Sequence, residues 1–368
     1  MRDGFTYRTL MAVLLVGAGG VNAELSDNAE VFAVGLNNPR GLVFGPYGMF
    51  LFVAEAGLGG GNNTTGSCEQ APPPLGPITG GKTGRVSIVA PDGHRYTLID
   101  GLPSSQTQSQ DVLGPTDVEF VEGRLHVLVQ AGCSKGDPDF PNAVVRMMGH
   151  ESVILADLSA YNLGNPQNFP PDDDHDPEGA PYSFKARHDE LIVVEANHST
   201  IDVVDRHGAV TRLADMAEFV GGYDTPVAVA VNDEGDVFIG SFGHFPFEEG
   251  SSTVYKIGRT GEISIFATGL TTVIDLAFDA HGVLFALETS TGNTGEFPFL
   301  FPETGRIVKL DDKGNIAGVV ATGLDFPAAM TFGPDGKIYV SNRGHGVGTA
   351  AGKGEIVRVE PEGIVHTE

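Results

Sequence analysis

Apolar and polar residues alternate with a period of two at six places along the chain, and the same succession of elements follows each time. The apolar pairs Leu42/Phe44, Val118/Phe120, Phe184/Ala186, Val229/Val231, Leu276/Phe278 and Met330/Phe332 each mark a short strand with one buried face. Turn residues come next: Pro46-Tyr47-Gly48, Glu122-Gly123, Arg187-His188-Asp189, Asp233-Glu234-Gly235, Ala280-His281-Gly282 and Pro334-Asp335-Gly336. Glycine there supplies a positive φ, and aspartate bonds to its own backbone, as a tight hairpin requires. A more apolar second strand follows at Leu51–Ala54, Val127–Val129, Leu191–Val194, Val237–Gly240, Leu284–Leu287 and Ile338–Ser341. A third follows at Arg85–Val89, Ala143–Met147, Thr200–Val204, Thr253–Ile257, Arg306–Leu310 and Glu355–Val359. After another glycine turn, such as Pro91-Asp92-Gly93 or Arg259-Thr260-Gly261, an outer strand leads into the next unit.

Six units of four antiparallel strands predict an all-β, six-bladed β-propeller; a seven-bladed wheel is the runner-up. Radial closure hides the sheet edges that a long open sheet would expose. Residues 24–368 are read as one such domain, with about 57 residues per blade against the roughly 40–45 of a minimal blade. The excess must lie in loops. Glu30–Leu36 repeats the outer-strand pattern of Ile263–Leu270 and Gly318–Leu324, so the N-terminal strand is expected to complete the last blade, with Ile364–Glu368 competing for the slot.

The first 23 residues stand apart. Arg2 and Arg8 flank a short start, the apolar stretch Leu10–Val16 follows, and Val21-Asn22-Ala23 offers a small-x-small exit before Glu24. That is the pattern of a secretory signal peptide, too short to span a bilayer. An extracytoplasmic protein, periplasmic or secreted and without a transmembrane segment, is expected. Export permits disulfides, and both cysteines, Cys68 and Cys133, follow the second strand of adjacent units. They are expected to bridge; two independent loop thiols are the alternative. Lys+Arg is 22 against Asp+Glu 48, a net charge of −26. A nucleic-acid partner is excluded, because counterion release needs a cationic surface.

The elaboration is one-sided. Turns from first to second and from third to fourth strands are nearly all minimal, whereas the second-to-third connections Ala56–Gly84, Ala131–Asn142, Phe242–Ser252, Thr289–Gly305 and Arg343–Gly354 are long. So are the inter-blade connections Gly101–Pro115 and Gly164–Pro181. All of these emerge at one end of an up-and-down wheel. Long loops on a rigid scaffold are where binding concentrates, so this end is expected to take a small molecule, a glycan or a protein.

The same frame yields a ring of polar residues. The residue closing the second strand is Glu55, Gln130, Glu195, Ser241, Glu288 and Asn342 in turn, and the third residue of the first-strand motif is Gly41, Asp117, Ser183, Ala228, Asp275 and Ala329. Both positions fall near the elaborated end of the channel. Converging carboxylates favour a hard cation such as Ca²⁺, with Glu55, Glu195 and Glu288 as the ligands to expect. A strand-end polar residue that caps turn backbone is the competing reading. No distinct nucleophile or base stands out. The acidic run Asp172–Asp176 lacks EF-hand spacing, and Gly57–Gly61 lacks the context of a phosphate loop. His244, His345, Arg40 and Arg343 fall in the loops or at the strand start facing the same mouth.

The stretches Asn38-Pro39-Arg40-Gly41-Leu42-Val43-Phe44-Gly45, Asp157-Leu158-Ser159-Ala160-Tyr161 and the passage from Pro181-Tyr182-Ser183-Phe184 to Asp205-Arg206-His207-Gly208 resemble NHL-type propellers and, more narrowly, the ScyD/ScyE family. The resemblance spans nearly all of residues 30–360. It implies an exported six-bladed wheel and transfers no catalytic residue. Two functions from different classes follow: a binding or accessory propeller, and a metal-dependent hydrolase or lyase centred on the acidic ring.

Overall fold

The computed structural model describes residues 24–70, 76–149, 151–170, 175–296, 299–344 and 351–362. The signal-peptide reading (1–23) and the competing C-terminal strand (364–368) fall outside these residues. Six antiparallel sheets are present. Their inner strands are Pro39–Phe44, Pro115–Val121, Pro181–Arg187, Pro226–Val231, Val273–Phe278 and Ala329–Phe332. Each packs against the next, and the last packs against the first, so the wheel is closed. Four of these strands begin with proline, which suits the first residue of an edge strand whose N–H has no ladder partner.

Closure of the last blade is made by the N-terminal strand. Ala29–Leu36 pairs antiparallel with Gly354–Val359, from Ala29 opposite Val359 to Leu36 opposite Gly354. Two strands far apart in the sequence are thereby joined in one sheet.

The core lies between blades. Val118, Val127 and Val129 of the second blade pack with Ala54 and Val86 of the first. Ile192 and Val194 of the third pack with Val229 and Ile239 of the fourth. Alternation along each strand sends one face to each neighbour, so the second strands are buried nearly throughout.

Two features depart from the expected plan. The long connections of the first blade are β-structure: its third strand begins early, at Thr79, and continues against Arg95–Gln106, while Asn62–Asn63 and Val112–Leu113 add short pairings. The glycine run belongs to this hairpin. A Cβ on Gly60 would stand 2.3 Å from the Gly80 carbonyl oxygen, so the backbones can meet only without side chains. The second feature is a pair of short helices at blade junctions. Leu158–Gly164 is capped by Asp157, which accepts from Ala160 N at 2.8 Å, and Met216–Val220 is capped by Asp215, which accepts from Glu218 N at 3.0 Å. No helix among the described residues is long and apolar enough to cross a membrane.

Candidate functional site

The residues that close the second strands are buried, and five of the six are turned back into their own blades. Glu55 accepts from Asn37 N at 2.5 Å, Glu288 from Thr271 N at 2.5 Å, Asn342 from Asp325 N at 2.8 Å, and Glu195 from Ala180 N. In each case the donor is a backbone N–H on the segment that enters the same blade's inner strand. That group has no ladder partner, and leaving it unpaired in the interior would cost roughly 1–3 kcal/mol. Ser241 accepts from Gly243 N at 3.0 Å and donates to Asp224, and Gln130 donates to the Pro181 carbonyl at 2.9 Å, reaching the next blade.

The carboxylates also have charged partners on the third strand. Glu55 lies opposite Arg85 in the ladder and is bonded to it at 2.6 Å; Glu288 lies opposite Arg306 and is bonded to it. Burial pushes the Glu288 carboxyl up, and the Arg306 guanidinium works against that rise. Glu195 accepts from His198 N at 2.6 Å. Glu55, Glu195 and Glu288, expected as a metal triad, thus each make their bonds within their own blade. Among the described residues no group of three or more His, Cys, Asp or Glu is placed to hold a metal ion.

The hub is a different environment. Asp117 and Asp275 stand, half-buried, on the inner strands of the second and fifth blades. Asp117 accepts from Val118 N at 2.8 Å and from Phe184 N of the next blade at 3.0 Å. Asp275 repeats the geometry with Leu276 N at 2.8 Å and Met330 N at 2.7 Å. Ser183 joins the same layer by donating to the Val227 carbonyl at 2.5 Å. These side chains staple neighbouring inner strands, which have no ladder between them.

Desolvation raises both carboxyls. Asp275 is pushed up to about 7, and Asp117 is raised well above the usual carboxylate range, with Asp275 adding repulsion. Two residues further along the third inner strand, Lys185 pairs with Glu119 at 2.8 Å. Burial opposes its charge, but Glu119, with Asp117 and Asp275 behind it, holds the ammonium above its ordinary range. Gly41, Ala228 and Ala329 complete the Asp117 layer, so the polar groups face small neighbours.

At the elaborated end the loops brace one another across blade boundaries. Between the first and second blades, Cys68 and Cys133 form a disulfide. Thr64 donates to the Cys133 carbonyl at 2.7 Å and Asn62 to the Gly136 carbonyl at 2.5 Å beside it. Between the second and third, buried Lys135 donates to Asp176 at 2.7 Å and to the Gly179 carbonyl at 2.9 Å. Desolvation pulls the Asp176 carboxyl up, but Lys135 and Ser134 hold it below the usual range. His198 donates from Nε2 to the Asp176 carbonyl at 2.7 Å, and His175 stacks on it with centroids 4.6 Å apart. Between the fourth and fifth, Glu249 accepts from Gly292 N at 2.6 Å, and Phe245 meets Phe299 edge-on at 4.5 Å.

Other sequence candidates fall into place. Arg40 is buried and bonded to Asp111 at 3.3 Å and to the Val112 carbonyl at 2.6 Å; Arg343 pairs with Asp325 at 3.1 Å. His244 is exposed. His345 and residues 172–174 of the acidic run lie outside the described residues. Asp176 entered the sequence reading only as part of the acidic run; Lys135, Lys185 and Glu119 were not singled out. The only signal for the last two was their place two residues beyond Ser183 and Asp117, hence on the same channel-facing side.

No family model and no curated protein matches the chain. Solved structures match it in fold. A gluconolactonase from Xanthomonas campestris aligns with TM-score 0.53 at 12% identity, over 96% of this chain and 94% of its own. The calcium-binding protein regucalcin from Agrobacterium tumefaciens gives 0.53 at 12%, over 90% and 92%. A PQQ-bound aldose sugar dehydrogenase from Streptomyces coelicolor gives 0.51 at 14%, over 92% and 99%. The likeness is one of fold. Six-bladed wheels of this kind carry lactonase, calcium-binding and dehydrogenase functions, so the fold by itself selects none.

Proposed function

We propose that the chain is an exported binding or accessory propeller that presents its loop-bearing end to a small molecule, a glycan or a protein. One observation carries the reading: loops of neighbouring blades are tied together by a disulfide, a buried ion pair and a carboxylate clamp. Loops held in one arrangement bind without a large ordering cost, which is what a recognition surface needs. The disulfide is consistent with a location outside the cytoplasm. The resemblance to the ScyD/ScyE family supports the same reading.

A metal-dependent hydrolase or lyase is the second reading. What favours it is Asp117 and Asp275 on one channel with carboxyls displaced toward proton transfer at neutral pH. The two readings separate on purified protein lacking residues 1–23. Elemental analysis without stoichiometric Ca²⁺, together with saturable binding on a glycan array that a Lys135→Met variant loses, supports the binding module. Stoichiometric Ca²⁺ together with aldonolactone hydrolysis that Asp117→Asn and Asp275→Asn abolish overturns it.

A further inference from the structure

The plain end of the wheel carries a feature that a ligand at the loop-bearing end leaves unexplained. Between the last and first blades lies a cleft of about 290 Å³ whose walls include Phe32, Phe44, Leu51, Val89, Pro334 and Tyr339. Beside it the hairpin turn of the first blade projects Tyr47, Met49 and Phe50, which are 93%, 57% and 40% exposed. The equivalent turns of the other blades carry Glu122, Asp189, Glu234, His281 and Asp335. A turn asks only for backbone freedom and polar capping, so three clustered apolar side chains are no requirement of this hairpin. Bordering an apolar cleft, they form the kind of patch that marks an interaction site.

The charges around the patch select among occupants. Arg358 also lines the cleft, over the Phe32 ring, but its charge is met by Glu30, and Lys337 pairs with Glu360 at 2.5 Å. Asp335, which lines the cleft, accepts from Lys337 N at 3.2 Å and from the Tyr339 hydroxyl at 3.1 Å, and it has no cationic partner among the described residues. The rim is thus left acidic, on a chain of net charge −26. A second copy of the chain and an anionic membrane are both repelled, whereas a cationic segment is attracted.

We propose that this patch docks a partner protein through a short segment with an aromatic or aliphatic anchor flanked by lysine or arginine. The anchor enters the cleft and packs on Tyr47 and Met49, and the flanking cation meets Asp335.

The chain contains no tryptophan, so a tryptophan peptide reports its own fluorescence alone. The capped peptide Lys-Trp-Leu-Lys is titrated into the mature protein, with Glu-Trp-Leu-Glu as control. The expected result is a saturable blue shift with the basic peptide and binding about tenfold weaker or more with the acidic one. Tyr47→Ser with Met49→Ser weakens the basic peptide at least about tenfold. Asp335→Asn weakens it about two- to fivefold, an effect lost in high salt. Melting curves confirm that the variants fold. An unsaturable signal, or equal binding by wild type and both variants, overturns the proposal. So does dimerisation in sedimentation that Tyr47→Ser abolishes, which would make a second copy the occupant, or Tyr47-dependent binding to phosphatidylglycerol vesicles.

Discussion

Replacing both cysteines, Cys68→Ser with Cys133→Ser, tests whether the loop-bearing end is coupled to the wheel. The bridge closes a loop of 65 residues. Loop-closure entropy for that length is about 14 cal/mol/K, or about 4 kcal/mol at 25 °C, lost from the unfolded chain when the bridge is present. The folded state changes little in the variant, because the same junction is held by Thr64 on the Cys133 carbonyl, Asn62 on the Gly136 carbonyl, and the Lys82–Asp137 pair. Gly80 and Gly136 also meet there with no room for a side chain. The loss therefore appears almost wholly through the unfolded ensemble. At about 2.1 cal/mol/K per residue, a wheel of this size has an unfolding entropy of roughly 0.7 kcal/mol/K, so the melting temperature should fall by roughly 6 °C.

Calorimetry on protein lacking residues 1–23 measures this, and wild type under reductant should melt with the double variant. This magnitude holds if the first-blade hairpin, Thr79–Val89 with Arg95–Gln106, unfolds with the wheel. A shift below about 1 °C, with faster amide exchange confined to that hairpin, would refute it. The bridge would then constrain a locally opening loop rather than the global unfolded state.

Two further perturbations address the hub. Asp275 has an ordinary pKa of 3.8 raised to about 7 by burial, so between those values the folded state holds a proton that the unfolded chain has released. Stability is accordingly lost as pH rises from about 4 to about 7, by at most about 4 kcal/mol. Asp275→Asn, which cannot ionise, should leave urea midpoints near wild type at pH 4 and raise them at pH 8; a lower midpoint at pH 8 would contradict the account. Gly41→Ala places a Cβ 1.8 Å from Asp117 Oδ1. It should cost about 1–3 kcal/mol by denaturant melt, and an Asp117→Gly background should recover part of that loss, a coupling that additive melts would exclude.

The wheel was legible in the sequence because its signals repeat. One weak period-two strand says little, but six in the same order between glycine turns leave few alternatives, and the interlocking N-terminal strand showed its outer-strand pattern at Glu30–Leu36. The first-blade hairpin was not legible. Its strand residues, Thr79-Gly80-Gly81-Lys82-Thr83-Gly84, have three glycines and no apolar alternation, because close approach of backbones, rather than a buried face, holds them. The helix Leu158–Gly164 was likewise missed, although Asp157 offered a capping signal; seven residues are too few for a helical period to declare itself.

The polar ring shows why repetition misleads about chemistry. In four of the six blades an N–H on the segment that drops into the inner strand is met by an acceptor at the end of the second strand, Glu55, Glu195, Glu288 or Asn342. A need met four times by geometry writes much of a polar ring into the sequence, as ligands around a cation would. The two causes differ in what stands opposite. Glu55 faces Arg85 and Glu288 faces Arg306 across the ladder, and a carboxylate neutralised by a cross-strand guanidinium is a poor ligand for a metal. Those arginines open their third strands in the sequence, so the register alone carried the distinction. The hub aspartates have no such partner in the ladder: Asp117 lies opposite Leu128 and Asp275 opposite Leu287. Their charge is answered only by backbone N–H groups and by Lys185, and burial raises both carboxyls.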